Sequence, residues 1–172
     1  GLPPLRMAIN ISAVQFHHGD FAAVLATALA HYGIHPGLVE LELTESVLMQ
    51  HLDEVLASLA RIKALGVRLA IDDFGTGFSS LNYLRRFPID RLKIDQSFVR
   101  DIARTPANAS ITRAIIALAD SLSLEVVAEG IEQAAERDFL ASLGLGEGQG
   151  YYYARPLAAA DLPAWIAAAE PA

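Results

Sequence analysis

Short runs in which polar and apolar residues alternate strictly, each followed by a helical stretch, recur from one end of this chain to the other. Residues 6–12, 39–43, 68–71, 91–94 and 125–128 read as strands, with 148–153 as a sixth, shorter one. Residues 21–32, 52–65, 79–86, 109–122, 134–143 and 161–169 read as helices. Asp20 is placed to cap the first helix and Gly33 to end it, Gly66 stops the second, and Asn108 is placed to cap the fourth. Strands that alternate with helices make a parallel sheet, either open and doubly wound or closed into a barrel.

The period-two pattern separates these two folds. Ala8, Asn10 and Ser12 fall on one face of the first strand, opposite Ile9 and Ile11. Glu40 and Glu42 oppose Leu41 and Leu43, while Ala70 and Asp72 oppose Leu69 and Ile71. Arg91, Lys93 and Asp95 oppose Leu92 and Ile94, and Val127 and Glu129 oppose Val126 and Ala128. A parallel sheet covered by helices on both faces reads instead as continuous apolar runs. Alternation suits a barrel whose outer face packs on helices and whose upper interior is a polar site.

Composition narrows the chemistry. The 172 residues are 53% hydrophobic, enough for the core of one domain spanning 1–172. A net charge of −7 argues against binding a nucleic acid polymer or an anionic membrane through charge. The absence of cysteine excludes disulfides, thiolate metal sites and cysteine nucleophiles, and fits a cytoplasmic setting. No run approaches the roughly 20 apolar residues of a membrane span, and no leader peptide is visible.

In a parallel barrel every strand ends at the same rim, where the βα loops build the active site. The polar residues at these ends are Asn10, Glu42, the adjacent pair Asp72 and Asp73, Lys93 with Asp95, Glu129, and Gln149. Each has a plain structural explanation by itself; Glu42, for example, pairs readily with a lysine. Their shared register points to one site. Two side-by-side carboxylates are costly unless a positive charge sits between them. Carboxylates with an amide oxygen suit hard cations such as magnesium or manganese. An aspartate able to bridge, beside a second aspartate, suggests a two-metal centre of the kind that activates water in phosphoryl transfer. The histidines lie in loops and helices rather than at strand ends, which disfavours a histidine zinc site. Gly75-Thr76-Gly77 lacks the Lys-Ser or Lys-Thr of a P-loop, and no serine nucleophile motif appears.

Six segments, taken together and in this order, resemble the EAL-type cyclic di-GMP phosphodiesterase domain. They are residues 8–12 (AINIS), 40–46 (ELELTES), 71–81 (IDDFGTGFSSL), 92–95 (LKID), 127–132 (VAEGIE) and 149–157 (QGYYYARPL). The resemblance implies a (β/α)8 TIM-like barrel, with about six of the eight strands present here. It also implies hydrolysis of cyclic di-GMP to linear pGpG with two Mg2+ or Mn2+ ions. By the same resemblance Asn10, Glu42 and Asp72 match metal ligands, with Asp72 bridging. Asp73 and Glu129 match the second metal site and its water. Lys93 matches the lysine near the attacking water, so that Lys93, Glu129 and Asp73 form the catalytic group. Gln149 matches the glutamine that closes the site, and Asp95 and Glu132 match positions near water or guanine. Glu45 matches the glutamate that steadies the loop from Phe74 to Leu81, which in the family links metal binding to homodimer contacts.

The family's naming Glu-Ala-Leu tripeptide, with its metal-ligand glutamate and the substrate-binding arginine after it, belongs upstream of Gly1. The resemblance therefore implies a piece of a larger multidomain signalling protein, cytoplasmic even where the parent is membrane-anchored. It also implies that these 172 residues alone turn over little substrate. The alternative from a different class is a receptor domain that binds cyclic di-GMP without cleaving it.

Overall fold

The computed structural model describes residues 4–17, 19–49, 51–77 and 81–168. Among these, strands and helices alternate. β1 (Met7–Asn10) is followed by α1 (Ala13–His17) and α2 (Phe21–Tyr32), and β2 (Val39–Thr44) by α3 (Glu45–Leu48) and α4 (Leu52–Ala64). β3 (Arg68–Phe74) leads to α5 (Leu81–Leu84), and β4 (Arg91–Ile94) to α6 (Gln96–Val99) and α7 (Pro106–Ser121). β5 (Glu125–Ala128), α8 (Ala134–Ser142) and α9 (Leu162–Ala168) complete the chain.

The strands form one parallel sheet in the order β1-β2-β3-β4-β5, the order in which they occur in the sequence. A doubly wound sheet reverses direction at a switch point; among the described strands there is none. Crossovers that all run the same way, and are right-handed as parallel crossovers are, bring the helices to one face. The other face becomes the interior of a barrel. Burial agrees. Leu41, Leu43, Leu69, Ile71, Leu92 and Ile94, on the outward face, are fully buried and belong to one core with Val55, Leu59 and Ile62 of α4 and Ile115 and Ala119 of α7. Each such side chain is worth about 1.5–3 kcal/mol of transfer energy. The inward face carries the charged residues instead. At one side of the described sheet β1 is exposed along its length, Met7 and Ile9 included.

Local chemistry sets the helix ends. Asp20 accepts a hydrogen bond from Ala23 N–H at 3.1 Å and so caps α2, and Gly33 ends it with φ of 62°. Three expectations need correction. Asn108 does not cap α7: Thr105 is its N-cap residue and Pro106 its first, as proline's missing N–H allows. The Asn108 amide instead donates to the carbonyls of Ser97 (3.0 Å) and Arg100 (3.1 Å), tying α7 to α6. Residues 148–153 make a single bridge, Gly148 to Ala128, and then turn, so the sheet has five strands and a sixth point of contact. The first strand ends at Asn10 because Ser12 caps α1, its N–H and Oγ–H both bonding the Gln15 side chain. Of the helix expected at 79–86, Leu81–Leu84 is helical, and Ser79 and Ser80 lie outside the described residues.

Candidate metal centre

The inward side chains lie in two ionic layers. The lower joins four strands and the sixth segment. Arg68 Nε lies 3.3 Å from Glu40 and its Nη2 2.6 Å from Glu125. Arg91 reaches Glu40 (3.4 Å), Glu125 (2.5 Å) and Glu147 (2.8 Å). Two guanidiniums face three carboxylates, so the layer is close to neutral. The Arg68 guanidinium beside Glu125 holds that carboxyl down to about 2 against the opposing effect of burial, with Arg91 adding to it.

The upper layer is not neutral. Lys93, 4% exposed, is its one ammonium, and its Nζ lies 2.7 Å from Glu42, 3.0 Å from Asp72 and 2.6 Å from Glu129. Burial works against this charge, yet the carboxylates of Glu129, Glu42 and Asp72 hold the ammonium well above the ordinary lysine range. One lysine cannot serve them all. Burial raises Glu42 above the ordinary carboxyl range despite its bond to Lys93. Burial, resisted by Lys93 and reinforced by Asp72, pushes Glu129 up to about 7.

A bulge adds a fourth carboxylate. Between Ile71 and Phe74 the register of β3 on β4 slips, and Asp73 takes a left-handed backbone, φ 52°. Neighbouring residues on a regular strand point to opposite faces. The bulge breaks that rule, and oxygens of Asp72, Asp73 and Glu129 come within 4.8 Å of one another. Burial and the Asp72 charge raise the Asp73 carboxyl. Asn10 joins from β1, where it pairs in register with Glu42. Its amide lies 3.3 Å from Glu42 Oε2 and 3.1 Å from Asp72 Oδ2. With its nitrogen turned inward it donates to both carboxylates; rotated so that its oxygen faces inward, the same amide would offer a ligand to a cation. Asp72 Oδ1, buried beside Lys93, makes no well-directed hydrogen bond. A convergent set of hard oxygen donors with surplus negative charge fits hard divalent cations.

The remaining expected residues surround this cluster. Asp95, Glu132 and Gln149 border a cavity of about 310 Å³ together with Asp73 and Glu129 of the cluster and with Tyr151, to which the sequence assigned no role. Burial opposes the Asp95 charge, but the Ser97 hydroxyl and amide (N–H to Oδ1 2.9 Å) keep its carboxyl below the usual range. Gln149 is fixed by its main chain, its N–H donating to Ala128 O (2.8 Å) and its carbonyl accepting from Ile131 N–H (3.0 Å). A Cβ on the next residue, Gly150, would overlap the Ile131 backbone, so only glycine lets the segment lie this close. Glu45, 4% exposed, has no hydrogen-bond partner on either carboxylate oxygen among the described residues. It lies against the turn after β3, where a Cβ on Gly77 would come 2.6 Å from its Oε1. The rest of that loop, 78–80, lies outside the described residues.

Gln96 and Gly130, which also border the cavity, were not among the expected residues. Gln96 follows Asp95 directly and Gly130 follows Glu129, so adjacency to a strand-end carboxylate was their only signal. The lower layer was half visible: alternation put Glu40 and Arg91 inward, but pairing across strands appears only with the register.

A family model for the EAL domain matches residues 1–156. The chain belongs to the EAL domain family. It is 47% identical over 153 residues to the signaling protein YkoW of Bacillus subtilis, which covers 89% of this chain and 19% of YkoW. The chain thus spans about a fifth of the length of such curated relatives. A solved structure described as the PaMucR phosphodiesterase in complex with c-di-GMP shares 42% identity and superposes with a TM-score of 0.88, covering 91% of this chain and 64% of that one. The Klebsiella pneumoniae BlrP1 complex with manganese and cyclic di-GMP shares 35% identity, with a TM-score of 0.81 over 88% of this chain and 39% of that one. The barrel architecture is therefore that of the EAL family, whose members include cyclic di-GMP phosphodiesterases. Among the described residues no helix of this EAL domain is long and apolar enough to cross a membrane.

Proposed function

We propose that this EAL domain hydrolyses cyclic di-GMP to linear pGpG with two hard divalent cations, Mg2+ or Mn2+, held by Asn10, Glu42, Asp72, Asp73 and Glu129. The observation that carries the reading is the charge deficit of the upper layer. Three carboxylates contact one ammonium, and Asp73 adds a fourth carboxylate beside Asp72 and Glu129, whereas the layer beneath them is nearly balanced. When bound, the cations offset the phosphodiester charge and acidify the attacking water. In the hydrolysis one P–O bond to water forms and one P–O ester bond breaks, so a proton leaves the water and another reaches the departing hydroxyl.

Glu129 borders both the acidic cluster and the cavity, so its carboxylate is placed to orient the attacking water and take the first of these protons. Lys93 orients Glu42, Asp72 and Glu129 and faces the negative charge that builds on phosphorus. Asp73 sits at the junction of the metal cluster and the cavity. Asp95, Glu132, Gln149 and Tyr151 line the space available to a guanine base. Glu45 holds the turn at Gly77 that follows the bulge.

The competing reading is a receptor domain that keeps this site and binds cyclic di-GMP without cleaving it. The two readings separate in one experiment on the native gene product that carries this chain. Calorimetry with cyclic di-GMP in Ca2+ is compared with chromatography of the products after Mn2+ is added. Binding followed by pGpG is the expected result; binding with the nucleotide intact establishes the receptor.

A further inference from the structure

Glu136 is 2% exposed and, among the described residues, bonds only to main-chain amides, which lie on two separate loops. Its Oε1 accepts the Asp101 N–H at 3.0 Å, and its Oε2 accepts the Glu132 and Gln133 N–H groups at 2.9 and 3.0 Å. Starting α8 needs the bond to Gln133, the reciprocal half of a capping box. The other two go beyond that need. They fasten the loop after β5 to the turn after α6. A second contact runs the same way: Gly130 sits so close to Gln96 that a Cβ there would overlap the glutamine side chain.

These fastened pieces are walls of the site. Gln96, Gly130 and Glu132 border the cavity that opens onto Asp73 and Glu129, and also a second cavity of about 650 Å³ reached by Arg100 and Asp101. Glu132 therefore stands in the partition between two spaces, with its main chain held by Glu136. A carboxylate in that position suits the N–H and NH2 donors of a guanine edge, and such pairing depends on placement to a fraction of an ångström.

We propose that Glu136 is a positioning residue for the nucleotide, a buried carboxylate bracket that sets Glu132 against the bound base. The proposal rests on the cyclic di-GMP reading above. Only a carboxylate satisfies both loops, because Glu136→Gln turns an NH2 group toward one set of N–H donors.

The test is a double-mutant cycle on the native gene product, with cyclic di-GMP binding measured by calorimetry in Ca2+ and amide hydrogen exchange followed at Asp101 and 129–133. Glu136→Gln is expected to weaken nucleotide binding about tenfold, the size of one lost charged hydrogen bond, and to speed exchange at those amides. In the Glu132→Ala background the same substitution is expected to leave binding nearly unchanged while exchange still quickens. Equal weakening in both backgrounds, or exchange without binding loss in the parent, would overturn the role given to Glu136. Wild-type protein that binds no cyclic di-GMP would overturn the functional reading itself.

Discussion

Lys93 concentrates the electrostatics of this domain in one side chain. Its ammonium stands within 3.0 Å of three carboxylates that have no other cationic partner among the described residues. Removing one member of a buried ion pair typically costs about 3 kcal/mol, because the remaining charge stays desolvated. Lys93→Met should therefore lower stability by about that amount in the presence of a chelator. Mn2+ should then recover more stability in the variant than in the wild type, as denaturant midpoints with and without the ion would show. Equal recovery in both proteins would mean that lysine and cation do not serve the same carboxylates. Strand alternation made Lys93 legible as an inward neighbour of Glu42 and Asp72. The ordinary reading of Glu42 as a lysine's partner holds as well, since both lie in one cluster.

Glu129 gives the site a pH dependence whose direction follows from its carboxyl, raised by burial to about 7 against an ordinary 4.5. The folded state holds this proton more tightly than the unfolded state does. Without a cation, the stability this group contributes is complete below about 4.5 and is lost as pH rises through about 7. A cation reverses the preference, because it binds the deprotonated form and releases the proton. Mn2+ affinity, measured by calorimetry in buffers of different ionisation heat, should rise with pH up to about 7 and then level off. Glu129→Gln should remove that rise.

At the scale of elements, the decisive device is the bulge in β3. Alternation legibly assigned Asp72 to the inward face, and by the same rule it sent Asp73 outward. No local pattern in the sequence announced that a left-handed Asp73 would bring both carboxylates to one side. The helix α2 was legible to the residue because its signals, an aspartate cap and a glycine stop, are short-range. The strand expected at 148–153 failed for the opposite reason. Whether an extended segment pairs depends on a neighbouring edge, and here a single bridge forms before the chain turns over Ile131. A left-handed backbone costs an ordinary residue about 1 kcal/mol, a cost that glycine does not bear. Asp73→Gly should hold or raise the denaturation midpoint while weakening Mn2+ binding several-fold. A fall in stability with metal affinity intact would make Asp73 a structural residue of the bulge.

The molecule as a whole is organised by the contrast between its two inner layers. Barrel topology was legible because a period of two repeats in every strand and a helix follows each strand. The division of the interior into a nearly neutral floor and an anionic mouth was not, since it depends on which charges meet across strands. Glu40, Arg68, Arg91, Glu125 and Glu147 come from five separate segments, and their pairing holds strand order at the end of the barrel away from the site. Glu125 reports on that floor. The Arg68 guanidinium, aided by Arg91, keeps its carboxyl at about 2, below the ordinary 4.5. Its stabilising contribution is therefore present above about 4.5 and is lost as pH falls through about 2. Its side chain is 48% exposed, so solvent and salt screen the pairing and the contribution is modest. In acid titrations followed by circular dichroism, Glu125→Gln should flatten the decline between pH 4.5 and 2, and 1 M salt should flatten the wild-type decline in the same window. The same substitution should leave Mn2+ affinity at pH 8 unchanged, because among the described residues no ion pair joins the floor to the mouth. A change in cation affinity would show instead that the two layers act as one network.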